Sequence, residues 1–216
     1  MSRRLPVLLM GLIVVAYWAR VLRLAQKSRR VCGHSANLIP AERIGKLTRL
    51  IWFPVVALWI TLPLVAALGH ARQRWLQPLF FLPSLAWCGV IAGAIALVFS
   101  LVCWRIMGKA WRMGIDPSAD EPMVTAGPYA YVRHPIYTLS SLVVLCTAAV
   151  WPSPPMIVIA ALHILLLRYE ARREEAHLNH VHGAAYQDYC GRTGRFFPRW
   201  RQVGAVLWSF TQRRIT

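Results

Sequence analysis

Apolar side chains fall in long runs along this chain, and polar ones collect between them. Five runs reach or approach the roughly 20 residues that cross a bilayer as helix: 5–19, 50–69, 79–104, 136–151 and 154–169. The third is long enough to tilt or to pass the interface. The last two are short, and Pro152-Ser153-Pro154-Pro155 between them breaks the helix and turns the chain, which predicts a tight helical hairpin. The pattern predicts an all-α, polytopic membrane bundle in two parts. Residues 1–104 hold three spans and a basic loop; residues 105–216 hold the hairpin 136–169 and further C-terminal helices. No internal repeat or low-complexity linker interrupts this order.

Composition agrees with the pattern. The 216 residues are 57% hydrophobic and only 15% charged, where a soluble domain carries about 25% charged residues. Arg3 and Arg4 before a short apolar core resemble the start of a signal peptide. No small-x-small cleavage site follows, and Arg20, Arg23, Lys27, Arg29 and Arg30 come next, so a retained anchor is expected.

Charge placement predicts the orientation. With the N-terminus outside, residues 20–49, 105–135 and 168–216 face the cytoplasm and carry 21 of the 25 Lys and Arg, leaving Arg3, Arg4, Arg72 and Arg74 outside. All eight acidic residues fall on that same inner side, so the polar machinery is expected on a cytoplasmic face. A net charge of +17 suggests nucleic acid at first sight, but the basic residues flank apolar runs, where they set topology and attract anionic headgroups. No nucleic-acid partner is expected. The five cysteines contain no Cys-x-x-Cys pair, and three of them lie inside apolar runs. They predict neither a disulfide framework nor a cysteine metal site.

Chemistry is expected at two polar clusters on either side of the hairpin. The stretch 127–137 is dense in polar and aromatic residues, yet opens directly onto the fourth apolar run. Such groups at the mouth of a membrane helix are costly unless satisfied or used. Beyond the hairpin, the tail from about 168 to 189 reads as helix interrupted near Gly183, with Leu178, Val181, Ala185 and Tyr189 forming one apolar stripe. Residues 203–210, flanked by Trp200, Trp208 and arginines, suit a helix lying at the interface. Both ends of a hairpin emerge on one face, which brings the two clusters together.

The ordered series Val124-Thr125-x-Gly127-Pro128-Tyr129-x-x-Val132-Arg133-His134-Pro135-x-Tyr137 resembles the signature of the isoprenylcysteine carboxyl methyltransferase and phospholipid methyltransferase superfamily. The second half follows in order: Glu174-Glu175, Leu178, Gly183, Tyr186, Tyr189, then Arg195-Phe196-x-Pro198. The resemblance implies an integral membrane enzyme that uses S-adenosyl-L-methionine. It places cofactor contacts at Glu121, Pro122, Met123, Val124, Tyr129, His134, Pro135, Ile136, Tyr137, Glu174 and Glu175. Arg133 and Glu174 are the residues it assigns to catalysis. A carboxylate at Glu174 can oppose the donor's positive charge, Arg133 and His134 can hold its carboxylate, and Tyr129 and Tyr137 offer ring faces and hydroxyls. No Gly-x-Gly-x-x-Gly is present, which weighs against a soluble dinucleotide-fold methyltransferase.

One position departs from the pattern. Prenylcysteine methyltransferases carry an arginine four residues before the acid matching Glu174, and it is implicated in holding the substrate carboxylate. Here that residue is Glu170, which leaves Arg168 and Arg172 as the substrate-binding candidates and Arg173 as a further one. The expected acceptor is a membrane lipid or lipidated molecule, foremost a prenylcysteine-like carboxylate. A lipid headgroup amine is the alternative, and a non-catalytic membrane binding protein on the same fold is a third reading. Taken one at a time the residues have plainer uses: Pro135 as a helix start, the tyrosines as interface aromatics, the glutamates as a solvated helix face. Glu174-x-x-His177 has the spacing of di-iron bundle ligands, but a single copy does not make such a site, so no metal is expected.

Overall fold

The computed structural model describes residues 3–31, 42–112, 114–115 and 123–199. Among these lie six α-helices: α1 (Arg4–Val31), α2 (Arg43–Ala67), α3 (Pro83–Met107), α4 (Pro135–Val150), α5 (Pro154–His182) and α6 (Ala184–Arg192). Local sequence explains several of the boundaries. Prolines stand in the first turn of α3, α4 and α5, where the missing N–H would have no helical partner anyway. Gly108 and Gly183, at φ 54° and 50°, end α3 and α5 in a backbone region that side chains disfavour.

α1, α2, α3 and α5 are each long and apolar enough to cross a membrane. α4 has 16 residues, about 24 Å at 1.5 Å per residue, short of a hydrocarbon core of ~30 Å. It is joined to α5 by the three residues 151–153 and packs against α1, α3 and α5, so the expected hairpin is present. Leu12, Leu50, Phe53, Ile91, Val98, Phe99, Leu145 and Leu165 are exposed around the bundle. In a membrane this apolar belt faces lipid rather than water.

Two helices run far past the C-terminal ends of the spans expected from hydropathy. α1 continues beyond 19 to Val31 with Arg20, Arg23 and Lys27 on it, and α5 continues beyond 169 to His182. Arginine and lysine end an apolar run but favour helix, so the backbone carries on past the bilayer. For α5 this has a direct consequence: Glu170, Glu174 and Glu175 stand on the same rigid rod as the membrane span. The stripe expected through Leu178, Val181, Ala185 and Tyr189 is not continuous. Gly183 resets the helix phase, Val181 is 52% exposed, and Tyr186 and Tyr189 are the buried residues of α6. The expected interfacial helix at 203–210 lies outside the described residues.

The core combines small-residue helix contacts with aromatic packing. Ala86, Gly89, Gly93, Ala96 and Ser100 form a buried stripe on α3. A Cβ on Gly89 would lie 2.8 Å from Val150 Cγ2 and 3.3 Å from the Cys146 carbonyl oxygen of α4. Small residues let membrane helices approach closely where no hydrophobic effect drives them together. Gly89→Val is therefore expected to force α3 and α4 apart and cost about 1–3 kcal/mol. A detergent thermal melt unchanged from wild type would contradict this. Across the bundle, Tyr17, Trp18, Trp52, Trp59 and Trp104 pack edge-on or tilted with ring centroids 5.0–6.3 Å apart. Two of the polar groups buried among them are paired with a neighbouring helix: Trp59 Nε1 donates to Thr147 Oγ1 at 3.0 Å, and Ser140 Oγ meets His163 Nε2 at 2.9 Å.

Candidate active site

The site begins with a turn that only glycine fits. Gly127 has φ 59°, and a Cβ there would stand 2.8 Å from Ile106 Cδ1 of α3. The following turn Gly127–Ala130 directs Tyr129 inward, at 3% exposure, and leaves Tyr131 outside at 43%. The chain then runs extended into α4. Alongside it lies the tail after α6: Gly194 N donates to Tyr131 O at 3.1 Å, Arg133 N to Gly194 O at 2.8 Å, and His134 N to Arg195 O at 3.1 Å. Thr138 Oγ1 adds a bond to Phe196 O at 2.8 Å. The two halves of the sequence signature are thus stitched together by backbone.

Two adjacent glutamates of α5 have separate tasks, because successive residues of a helix point about 100° apart. Glu174 turns toward the mouth of α4. Tyr137 Oη donates to its Oε1 at 2.5 Å, and His134 Nδ1 lies 3.5 Å from its Oε2. The His134 ring stacks on Tyr137 with centroids 5.3 Å apart and planes 6° from parallel. Glu175 turns toward the tail. It accepts from Arg133 Nε at 2.9 Å and from Arg195 Nε and Nη2 at 2.9 and 2.5 Å. Arg133 Nη1 donates further to Thr193 O at 2.6 Å. Glu175 and the two guanidiniums form a clamp that fixes tail, turn and α5 to one another.

A cavity of about 220 Å³ opens beside this network. Met123, Val124, Tyr129, Arg133, His134, Pro135, Ile136, Tyr137 and Glu174 line it, so most residues expected at a cofactor site are brought together. Glu175 does not line it and acts through the clamp. Glu121 and Pro122 lie outside the described residues. Arg168 and Arg172, expected to hold a substrate, are exposed and line neither this cavity nor the smaller one beside it. They sit on the outer face of α5. Arg133, expected to act in catalysis, has its guanidinium bonded to Glu175 and to the tail.

Sequence reasoning did not assign Met107, Trp111, His177, Leu178 and His182 to the cofactor site, and these also line the cavity. Three of them were recoverable: His177, Leu178 and His182 stand three, four and eight residues after Glu174, on the same helical face. Glu174 is the only acidic side chain lining the cavity among the described residues. A lone carboxylate beside stacked rings suits a ligand that carries positive charge and planar groups. The tyrosines around it stay neutral. Burial pushes the Tyr129 and Tyr186 phenols well up, and Tyr189 to about 12. Tyr189 uses its proton to donate to Tyr129 O at 2.6 Å. Hydrogen bonding to Glu175 raises the Arg195 guanidinium further, so the clamp stays charged. Among the described residues, no group of three or more His, Cys, Asp or Glu side chains is placed to hold a metal ion.

Comparison with known proteins locates this arrangement. The profile of the family described as phospholipid methyltransferase matches residues 85–185. The chain is 32% identical over 163 residues to the nickel-cobalt-cadmium resistance protein NccN of Alcaligenes xylosoxydans xylosoxydans, covering 76% of this chain and 68% of that protein. It is 29% identical over 165 residues to the cobalt-zinc-cadmium resistance protein CzcN of Cupriavidus metallidurans, covering 76% and 67%. No solved structure matches.

Proposed function

The chain belongs to the isoprenylcysteine and phospholipid methyltransferase superfamily, and on that premise we propose that it transfers a methyl group from S-adenosyl-L-methionine to a lipophilic acceptor drawn from the bilayer. The observation that carries the reading is the Tyr137–Glu174–His134 network on the wall of the larger cavity.

When bound, the donor supplies an electrophilic methyl on a cationic sulfonium, so the protein's task is positioning and exclusion of water. Glu174 opposes positive charge and accepts hydrogen bonds from an amine or ribose hydroxyl, while Tyr137 fixes its orientation. His134, with its ring stacked on Tyr137, contributes a planar face and a polar edge. Tyr129 and Trp111 give further ring surface for an adenine. Arg133 holds the signature loop against α5 and the tail, and so acts on the reaction through the shape of the cavity. The donor enters from the cytoplasmic side and the acceptor sideways between helices.

The resistance proteins it resembles carry metal names. In this reading, methylation of a membrane component is this protein's contribution to tolerance of metal stress. The test is to incubate the purified protein in lipid nanodiscs with methyl-labelled S-adenosylmethionine and total membrane lipid. Label is expected in one lipophilic product. No labelled product, together with no calorimetric binding of the donor, would refute the proposal.

A further inference from the structure

A second cavity, of about 60 Å³, adjoins the first, and Trp111, Arg112, Ile136 and Tyr137 line both. Its remaining walls come from α1, α2, α3, α5 and Ser140 of α4. Deep in it stands Arg49 of α2, only 8% exposed. Its guanidinium lies over the Trp52 ring, 4.9 Å from the centroid. Its Nε is buried without a hydrogen-bond partner, and among the described residues no carboxylate pairs with it. Glu170, 6% exposed, lines the same cavity but is already committed. Arg173 Nη1 donates to both of its oxygens at 3.0 Å, and Arg173 Nη2 donates to Glu42. The acid in the cavity is thus neutralised from outside it, while Arg49 forms no ion pair with a carboxylate of the described residues.

A buried guanidinium without a partner is costly, and such groups are retained where a ligand completes them. Resting on the methyl-transfer reading above, we propose that Arg49 anchors the acceptor and selects a lipophilic carboxylate. The planar fork of arginine matches a carboxylate's two oxygens. The aromatic walls suit the apolar part of such a ligand. The chemistry fits as well. A carboxylate oxygen forms the new C–O bond to the methyl carbon, the C–S bond breaks, and its electron pair stays on sulfur. One negative and one positive charge cancel, and no proton has to leave. An ammonium acceptor would first have to lose a proton, and Glu170 is tied to Arg173. Arg49 therefore takes the role that Glu170 vacates on α5 and that the exposed Arg168 and Arg172 are not placed to fill.

The test uses the full chain in phosphatidylcholine nanodiscs and three tritiated probes: (decylthio)acetate, its primary amide and decylamine. Saturable binding is read by scintillation proximity, and donor affinity by calorimetry. Wild type is expected to bind the carboxylate about 30-fold more tightly than the amide, the size of one charge-assisted hydrogen-bond set. Arg49→Gln should abolish that preference, Arg49→Lys should restore part of it, and neither should change the affinity for S-adenosylmethionine. Unchanged donor affinity also shows that the variants fold. The proposal is overturned if wild type binds the amide or the amine as tightly as the carboxylate, or if Arg49→Gln keeps the preference. Should the donor fail to bind wild type, methyl transfer falls, while the Arg49-dependent preference is still read from the binding arm.

Discussion

Glu174→Gln is expected to weaken binding of S-adenosylmethionine about 100-fold and to lower kcat/KM by about 10²–10³. Glutamine keeps the size of the side chain and still accepts from Tyr137, so the helix and its neighbours have no reason to move. What disappears is the only negative charge on the cavity wall among the described residues. A hydrogen bond to a charged group contributes about 1.5–3 kcal/mol, which sets the upper end of the binding loss. The larger effect on turnover follows if the carboxylate also holds the donor in line with its acceptor. Part of the loss comes from the sulfonium, so S-adenosylhomocysteine, whose sulfur is neutral, should be affected less. A calorimetric Kd within threefold of wild type for the Gln variant would remove Glu174 from the site.

Gly194→Ala should cripple the protein by a different route. A Cβ at this position would stand 1.7 Å from the Phe197 carbonyl oxygen and 2.9 Å from its carbonyl carbon. Both are backbone atoms, so no rotamer change relieves the contact and the tail must lift. Lifting it breaks the three backbone bonds to Tyr131, Arg133 and His134 and withdraws Arg195 from Glu175. The expected cost is at least about 3 kcal/mol, the upper end for overpacking. Activity should fall about 100-fold even though residue 194 lines neither cavity, because His134 and Arg133 lose their support. Limited proteolysis should cut the variant after α6 at protease levels that leave wild type intact. Equal protection of that segment in the two proteins would show that the tail docks in another way.

The pairing of Glu175 with two guanidiniums explains why the tail is held to the walls of the larger cavity although the family profile ends at 185. Ion pairs on a surface contribute little, but this one is a network: Glu175 and Arg133 are 12% and 10% exposed. It also gives the arginine of the Arg133-His134-Pro135 motif a structural task. Conservative replacement by lysine would keep the charge but lose the geometry that reaches Glu175 and Thr193 together.

The sequence by itself determined the membrane bundle, the hairpin and the membership of most of the larger cavity. Run length, proline position and an ordered motif are properties of neighbouring residues, so they survive without coordinates. Helix phase and long-range partners are not such properties. Nothing in Glu174-Glu175 says which one faces the cavity until Arg133, 42 residues away, and Arg195 take hold of the second. Arg49 was read as one more topology charge beside a span, because hydropathy begins that span at residue 50. The helix in fact begins at Arg43, and packing against α1 and α5 turns Arg49 inward. Arg168 and Arg172 lie near the right acid in sequence but on the wrong side of its helix. Proximity along the chain located the candidate site; rotation about α5 and the return of the tail decided which side chains line it.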